Sequence, residues 1–232
     1  ISLECDRIDL PCDRTNLAFR AAELLQAECG VQTGVHMFLT KRIPLAAGLA
    51  GGSSDAAAVL RGLNALWKLG LSFGDLERLA ARLGSDVPFC LRGGTALATG
   101  RGEILTPLPD FAGVGVVLAN PPLQVATAWV YRQYSSAAEG RRPDILHMRE
   151  AIGRGDLPAV AACMGNRLES VTLPMYPQLE IIKKAFSRAG ACGVLMSGSG
   201  PTVFALAPDG TTAARLAGQA CLPEDVAVYV TE

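Results

Sequence analysis

Histidine is scarce in this sequence. Only His36 and His147 occur in 232 residues. Neither has a plausible ligand neighbour, which argues against a histidine-based metal centre and predicts structural or exposed roles. The seven cysteines, at 5, 12, 29, 90, 163, 192 and 221, are odd in number and never form a Cys-x-x-Cys pair. A disulfide framework and a zinc site are therefore disfavoured, and a reducing, cytoplasmic compartment is expected. Long hydrophobic runs are missing too. Stretches such as Gly113–Ala119 are far too short to span a bilayer, so no membrane is expected as a partner. Basic clusters are lacking: 21 Lys and Arg face 22 Asp and Glu, and Arg141-Arg142 is only a pair. That balance gives no footprint for nucleic acid. No internal repeat or low-complexity tract is present.

What the chain does have is apolar and small residues, 50% hydrophobic with 25 glycines, in a length that can bury a full core. Ile1–Cys5 reads as a strand already under way, so the natural N-terminus is expected to lie upstream. Thr15–Cys29 carries helical spacing, with Thr15 or Asn16 as N-cap and Gly30 past its end. A strand at Val35–Thr40 precedes a Gly/Ala loop at Pro44–Asp55 and a helix at Ala56–Leu69 stopped by Gly70. Ser72 and Asp75 are spaced as a capping box for a helix ending at Gly84. Phe89–Leu91, Thr95–Ala98 and Glu103–Leu105 read as short strands.

Pro107, Pro109, Pro121 and Pro122 bracket a strand at Val114–Ala119 and mark the expected domain boundary. Helical patterns follow at Thr127–Ala138, Ile145–Arg154, Leu157–Glu169 and Leu179–Ala189. A strand at Gly193–Met196 enters a second glycine loop, Ser197–Pro201, and a strand at Thr202–Ala207 leaves it. A helix at Thr211–Ala220 and a strand at Val226–Val230 close the chain. Strands and helices grouped rather than strictly alternating predict an α+β protein of two units, 1–108 and 109–232.

Three loops carry chemistry. Pro44-Leu-Ala-Ala-Gly-Leu-Ala-Gly-Gly-Ser-Ser-Asp55 leaves backbone N–H groups unshielded and opens a helix whose dipole favours an anion. Ser53 and Ser54 add hydroxyls for phosphate oxygens or Mg²⁺. The alternative is a small-residue turn that lets a helix pack tightly on a sheet. No Gly-Lys-Ser/Thr follows, so it is not a Walker loop, and the spacing is not that of a dinucleotide fold. In Gly84-Ser-Asp86-Val-Pro-Phe89, a carboxylate on a Pro-pinned loop can accept or orient a substrate hydroxyl's proton, or simply cap a turn. Ser197–Pro201 is either a plain hairpin connection or a second set of amides for phosphate.

The Pro44–Asp55 segment resembles the ATP-phosphate loop of the GHMP kinases, the superfamily of galactokinase, homoserine kinase and mevalonate kinase. Further segments point to the same family in the expected order: Asn16-Leu17 with Arg20-Ala21, Gly84–Phe89 running into Gly93-Gly94-Thr95-Ala96 and Gly100–Glu103, Asn166–Glu169, and Met196–Phe204. Together they are most similar to the branch that phosphorylates 4-diphosphocytidyl-2-C-methyl-D-erythritol in the non-mevalonate isoprenoid pathway.

The resemblance implies a ribosomal-protein-S5-like domain bearing ATP, joined to a ferredoxin-like, substrate-side domain. It implies that Pro44, Ala46, Ala47, Gly48, Leu49, Ala50, Gly51, Gly52, Ser53 and Ser54 cradle ATP, with Ser54 on Mg²⁺. Asp86 matches the catalytic aspartate. Gly198, Ser199 and Gly200 match the loop that closes the site, and Tyr131 matches an aromatic near the cytosine, although an aromatic on a helical face is more often core.

The family's opening Pro-Ala-Lys-x-Asn-Leu strand and its Gly-Tyr-His segment have no match here. Lys41, Lys68, Lys183 and Lys184 all lie outside the lysine motif. The expectation is of a chain lacking the family's N-terminal segment. The alternatives that stay open are a homoserine- or mevalonate-type kinase, or a nucleotide-binding form without turnover.

Overall fold

The computed structural model describes residues 1–134 and 143–232. The last part of the predicted helix, 135–138, and the Arg141-Arg142 pair lie outside the described residues. Two compact units emerge: Ile1–Ile43 with Ala50–Pro107, and Pro44–Leu49 with Leu108–Glu232. A single cut near residue 108 therefore misses one crossing. Six residues of the glycine loop belong with the second unit because their hydrogen bonds go there.

In the first unit, β1 (Ser2–Cys5) pairs in parallel with β2 (His36–Leu39). Between them runs α1 (Leu17–Cys29). Its N-cap is Asn16, whose side chain accepts from the Ala18 amide and donates to the Pro11 carbonyl, while Gly30 closes it in the left-handed conformation. Helix α2 (Gly51–Leu66), α3 (Phe73–Leu83) and α4 (Val87–Arg92) complete the helical layer, and β3 (Ala96–Thr99) forms an antiparallel hairpin with β4 (Ile104–Pro107). The core is Ala21, Ala22 and Leu25 of α1, Ala56, Ala57, Leu60 and Leu63 of α2, the apolar stripe of α3, and Val87 and Leu91 of α4. Small residues on α1 and α2 let the two helices approach closely. The Ser72–Asp75 capping box is formed in both directions.

Two expectations fail here for identifiable reasons. Helix α2 starts at Gly51, not Ala56, because first-turn amides need no intrahelical acceptor and the poor propensity of Gly-Gly is tolerated there. It also ends at Leu66, with Lys68 in the left-handed region (φ 52°) before Gly70. Phe89–Leu91 is helical, within α4. A short apolar run is ambiguous between strand and helix, and Pro88 in the first turn tips it towards helix.

In the second unit, β5 (Gly115–Asn120), β6 (Gly193–Met196), β7 (Val203–Ala207) and β8 (Ala227–Thr231) form an antiparallel sheet in the order β6-β7-β5-β8. Helices α5 (Thr127–Gln133), α6 (Ile145–Arg154), α7 (Leu157–Cys163), α8 (Glu169–Met175), α9 (Gln178–Arg188) and α10 (Gly210–Gln219) surround it. The predicted helix over Leu157–Glu169 stops at Cys163, because Gly165 and Asn166 end it and the Asn166 side chain bonds to the backbone elsewhere; α8, which the periodicity did not predict, starts at Glu169. Leu179, Ile182 and Phe186 of α9, with Ala213 and Leu216 of α10, bury against Val117, Ala119, Val203, Ala205 and Ala207 of the sheet. No helix among the described residues is long and apolar enough to cross a membrane.

Phe186 is fully buried in this core. Phe186→Ala is expected to lower stability by about 3–5 kcal/mol through lost transfer energy and a residual cavity. Urea unfolding followed by far-UV circular dichroism reads this, and a loss below about 1 kcal/mol would mean the site collapses around the gap.

Candidate functional site

The first unit brings a strand exit, a helix start and a carboxylate together. After β2, the Lys41 amide donates to Asp6 Oδ1 at 2.9 Å. The Lys41 side chain is only 4% exposed, and its ammonium lies 2.5 Å from Asp55 Oδ2 on α2. A Cβ on Gly51 would stand 3.0 Å from Lys41 Nζ and 2.9 Å from Ile43 Cγ2. Gly51 is therefore a requirement of close approach as well as a loop residue.

Helix α2 has no side-chain cap. Its N-cap is Ala50 in the left-handed region (φ 51°), and the first amide to find a helical acceptor is that of Ser54, to the Ala50 carbonyl at 2.9 Å. Among the described residues the amides of Gly51, Gly52 and Ser53 donate to nothing, and the Ser53 and Ser54 hydroxyls make no hydrogen bond. Forgoing a Ser, Thr or Asp cap costs a helix about 1 kcal/mol. Each bond from such an amide to an anionic oxygen returns about 1.5–3 kcal/mol. Three aligned, unpartnered amides at the positive end of a sixteen-residue helix thus form an anion cradle.

Asp86 is the N-cap residue of α4, with αR backbone, and its carboxylate makes no capping bond. The residue is exposed, and its carboxylate has no hydrogen-bond or ion-pair partner among the described residues, whereas its backbone carbonyl accepts from the Cys90 amide at 3.1 Å. The sequence placed it on a loop before a strand; it precedes a helix instead. One turn on, the Cys90 thiol faces the Ala50 carbonyl at 4.0 Å, which sets α4 beneath the start of α2. Burial pushes the Cys90 thiol up, and the nearby carboxylates of Asp86 and Asp55 push it further. Both carboxylates therefore lie near enough to the thiol to act on it.

The second unit holds the other half of the glycine loop. Ser197 Oγ donates to the Gly48 carbonyl at 2.7 Å, and the Thr202 amide donates to the Ala47 carbonyl at 3.4 Å. Gly48 has φ 71°, and a Cβ there would lie 2.4 Å from the Ser197 carbonyl oxygen, so no other residue fits. Within the Ser197–Pro201 turn, Ser199 is 4% exposed. Its hydroxyl bonds Thr127 Oγ1 at 2.9 Å, and its carbonyl accepts from Thr172 Oγ1 at 3.1 Å. The amides of Gly198 and Ser199 donate to nothing among the described residues. Tyr131, on α5, is 61% exposed and so is not a core residue.

The predicted site residues thus group by unit. Gly51–Ser54 and Asp86 fall in the first, with Ala50. Pro44–Leu49, Tyr131 and Gly198–Gly200 fall in the second. Both histidines are exposed, His36 beside Ser2 and His147 beside Asp144. Among the described residues no three His, Cys, Asp or Glu side chains converge on a metal site. Sequence reasoning passed over three residues. Lys41 lies outside the family's lysine motif, and its buried pair with Asp55, fourteen residues on, leaves no periodic mark in the sequence. Asn166 and Glu169 contributed to the resemblance without a role, and their bonds to the β6 end were invisible in one dimension.

Residues 16–94 match the GHMP kinases N terminal domain, and residues 148–222 match the GHMP kinases C terminal model. A 4-diphosphocytidyl-2-C-methyl-D-erythritol kinase of Synechococcus sp. (strain JA-2-3B'a(2-13)) is 52% identical over 225 residues, covering 93% of this chain and 72% of the relative. The enzyme of that name from Bacillus pumilus (strain SAFR-032) is 55% identical over 197 residues, covering 85% and 68%. A crystal structure of 4-(cytidine 5'-diphospho)-2C-methyl-D-erythritol kinase superposes with a TM-score of 0.79 at 37% identity, over 98% of this chain and 80% of the other. Homoserine kinase from Cytophaga hutchinsonii shares the fold, with a TM-score of 0.84 at 21% identity over 100% and 82%. An α+β chain with an uncapped glycine-rich helix start, matched along both units in this way, belongs to the GHMP kinases, on the branch of the 4-diphosphocytidyl-2-C-methyl-D-erythritol kinases.

Proposed function

We propose that this chain transfers the γ-phosphoryl group of ATP to the 2-hydroxyl of 4-diphosphocytidyl-2-C-methyl-D-erythritol, in the non-mevalonate isoprenoid pathway and in the cytoplasm. The observation that carries the mechanism is a set of unpartnered amides and hydroxyls at Gly51–Ser54, in one unit with the unpaired carboxylate of Asp86. Phosphoryl transfer asks a protein chiefly for positioning and for stabilisation of spreading negative charge. The amides of Gly51, Gly52 and Ser53 would hold the phosphate oxygens without reorganising. Pro44–Leu49, in the second unit, would bind ATP through backbone, with Ala46, Ala47 and Gly48 leaving it open.

The reaction then balances simply. The substrate oxygen forms a bond to the γ-phosphorus, the bond from that phosphorus to the β-bridging oxygen breaks, and ADP leaves. Asp86 accepts or orients the hydroxyl proton, a task for which a carboxylate with no prior partner is suited. Magnesium fits the donors present: it needs hard oxygens, is usually held by one or two protein groups plus phosphates, and the Ser54 hydroxyl is unbonded. Bound there, it would neutralise charge on the transferring phosphates. Tyr131 would offer its exposed ring to the cytosine. Gly198, Ser199 and Gly200 would act on the substrate side through backbone, since the Ser199 hydroxyl is already committed to Thr127.

Asp86→Ala is expected to lower kcat by about 10²–10⁴-fold, the range for loss of a positioned acid–base group, with little change in the KM for ATP. Steady-state assay with ADP readout measures it, alongside homoserine and mevalonate as competing acceptors. Near-full turnover by the variant would remove the role given to Asp86, and faster turnover of either competitor would remove the substrate.

A second expectation concerns charge. Asp86→Asn takes a negative neighbour from Cys90, so the thiol's raised pKa should move down and its thiolate fraction at fixed alkaline pH should rise. Peptide mass spectrometry of iodoacetamide labelling across pH follows Cys90 alone. An unchanged profile would show that Asp86 does not face the thiol.

A further inference from the structure

Among the described residues, two hydrogen bonds tie Pro44–Leu49 to the rest of the second unit, and both come from the turn after β6: Ser197 Oγ to the Gly48 carbonyl, and the Thr202 amide to the Ala47 carbonyl. The loop's carbonyls are thus fixed by the turn, and the turn must be fixed by something else. Its backbone is held by a polar cluster on the segment that opens α8. Asn166 Nδ2 donates to the Met196 carbonyl at 2.8 Å and to the Gly198 carbonyl at 2.7 Å, clasping the turn on both sides of Ser197. Asn166 Oδ1 accepts from the Leu168 amide at 2.9 Å, which fixes the orientation of the side-chain amide. Glu169 Oε1 accepts from the Met196 amide at 2.9 Å and from Lys183 Nζ at 2.6 Å. Glu169 is 16% exposed and Lys183 20%, so the ion pair that joins α8 to α9 is largely buried. Thr172, fully buried, takes the Ser199 carbonyl, and Thr202, also fully buried, is bonded to Asn120.

From this chain of contacts we infer that Asn166 and Glu169, with Lys183, are positioning residues for the nucleotide phosphates: they act on ATP through the Ser197–Thr202 turn and the Ala47-Gly48 carbonyls. The inference rests on the phosphate role proposed for the glycine loop and adds residues that make no nucleotide contact themselves. The physical reason is directional. A peptide unit whose carbonyl is held in one direction presents its N–H in the other. Bonds to the carbonyls of Ala47 and Gly48 therefore set where the amides of Gly48 and Leu49 aim. Asn166 is suited to the task because its two N–H donors meet two carbonyls. A carboxylate of the same shape would set an anionic oxygen against both.

The test uses the whole chain and isothermal titration with two probes, a non-hydrolysable ATP analogue and AMP, which lacks the β- and γ-phosphates. Asn166→Asp is expected to weaken the analogue at least tenfold while leaving AMP within twofold of the parent. Glu169→Ala should act in the same direction, and Glu169→Gln, which keeps an acceptor for the Met196 amide, should recover most of the affinity. Lys184→Ala, an exposed neighbour on α9 paired with Glu180, should change nothing. If Asn166→Asp fails to fold by circular dichroism, Ser197→Ala removes only the bond to Gly48 and must show the same split. Equal losses for both probes, or no loss for either in folded variants, overturn the inference. An acceptor other than the cytidyl diphosphate alcohol would overturn the proposed function and leave this result standing, since the titrations contain no acceptor.

Discussion

The rest of the site depends on three backbone amides that the protein leaves without acceptors. A helix of α2's length normally begins on Ser, Thr, Asp or Asn, and here the N-cap is Ala50, whose methyl group can accept nothing. The lost cap is tolerable because the helix is anchored elsewhere. Ala56, Ala57, Leu60 and Leu63 bury against α1, α3 and α4, so the helix does not need its first turn to persist. Packing supplies the stability, and the first-turn amides can be left without acceptors. The same logic explains the glycines. Any side chain at Gly51 would meet Lys41 and Ile43, and any at Gly48 would meet the Ser197 carbonyl.

Lys41 shows how finely this end of the helix is balanced. A buried ammonium near the positive end of a helix is penalised both by desolvation and by the helix dipole. Asp55, one turn into α2, supplies the compensating charge at 2.5 Å. The pair links the β2 exit to α2, so the direction of the unpartnered amides is fixed by a contact that spans the loop in sequence. Removing one partner of a buried pair strands the other, which typically costs about 3–5 kcal/mol. The pair therefore acts as a geometric constraint on the cradle, whatever its net contribution to stability.

Much of this was legible in one dimension, and the boundary of legibility is physical. Local signals survived intact: the Ser72–Asp75 capping box, Gly30 as a C-cap, and the limits of α6 and β6 all depend on neighbours in sequence. Gly51–Ser54 could be singled out because small residues before an apolar-periodic helix leave its first amides unshielded, and those amides are without acceptors in the fold. What failed were elements decided by tertiary context. Phe89–Leu91 is helical because Val87 and Leu91, one turn apart, bury in a core already built by α2 and α3, while Phe89 stays exposed. The split between α7 and α8 follows from an asparagine whose partners lie thirty residues away. No periodicity reports a side chain that leaves its own segment.

The Ser197–Pro201 turn illustrates why family resemblance and local chemistry can assign one segment different work. A Gly/Ser loop at a strand end reads as a ligand loop, and two of its amides are indeed unpartnered. Yet the Ser197 and Ser199 hydroxyls and the Gly198 and Ser199 carbonyls are all spent within the protein. Fully satisfied polar networks of this kind rigidify a backbone. A turn whose carbonyls and hydroxyls face inward has only its amides left to present outward. Small residues serve both ends: they let the inward bonds close, and they leave the outward amides bare. The turn is therefore built to hold the Ala47 and Gly48 carbonyls in one direction, the kind of fixed backbone on which positioning depends.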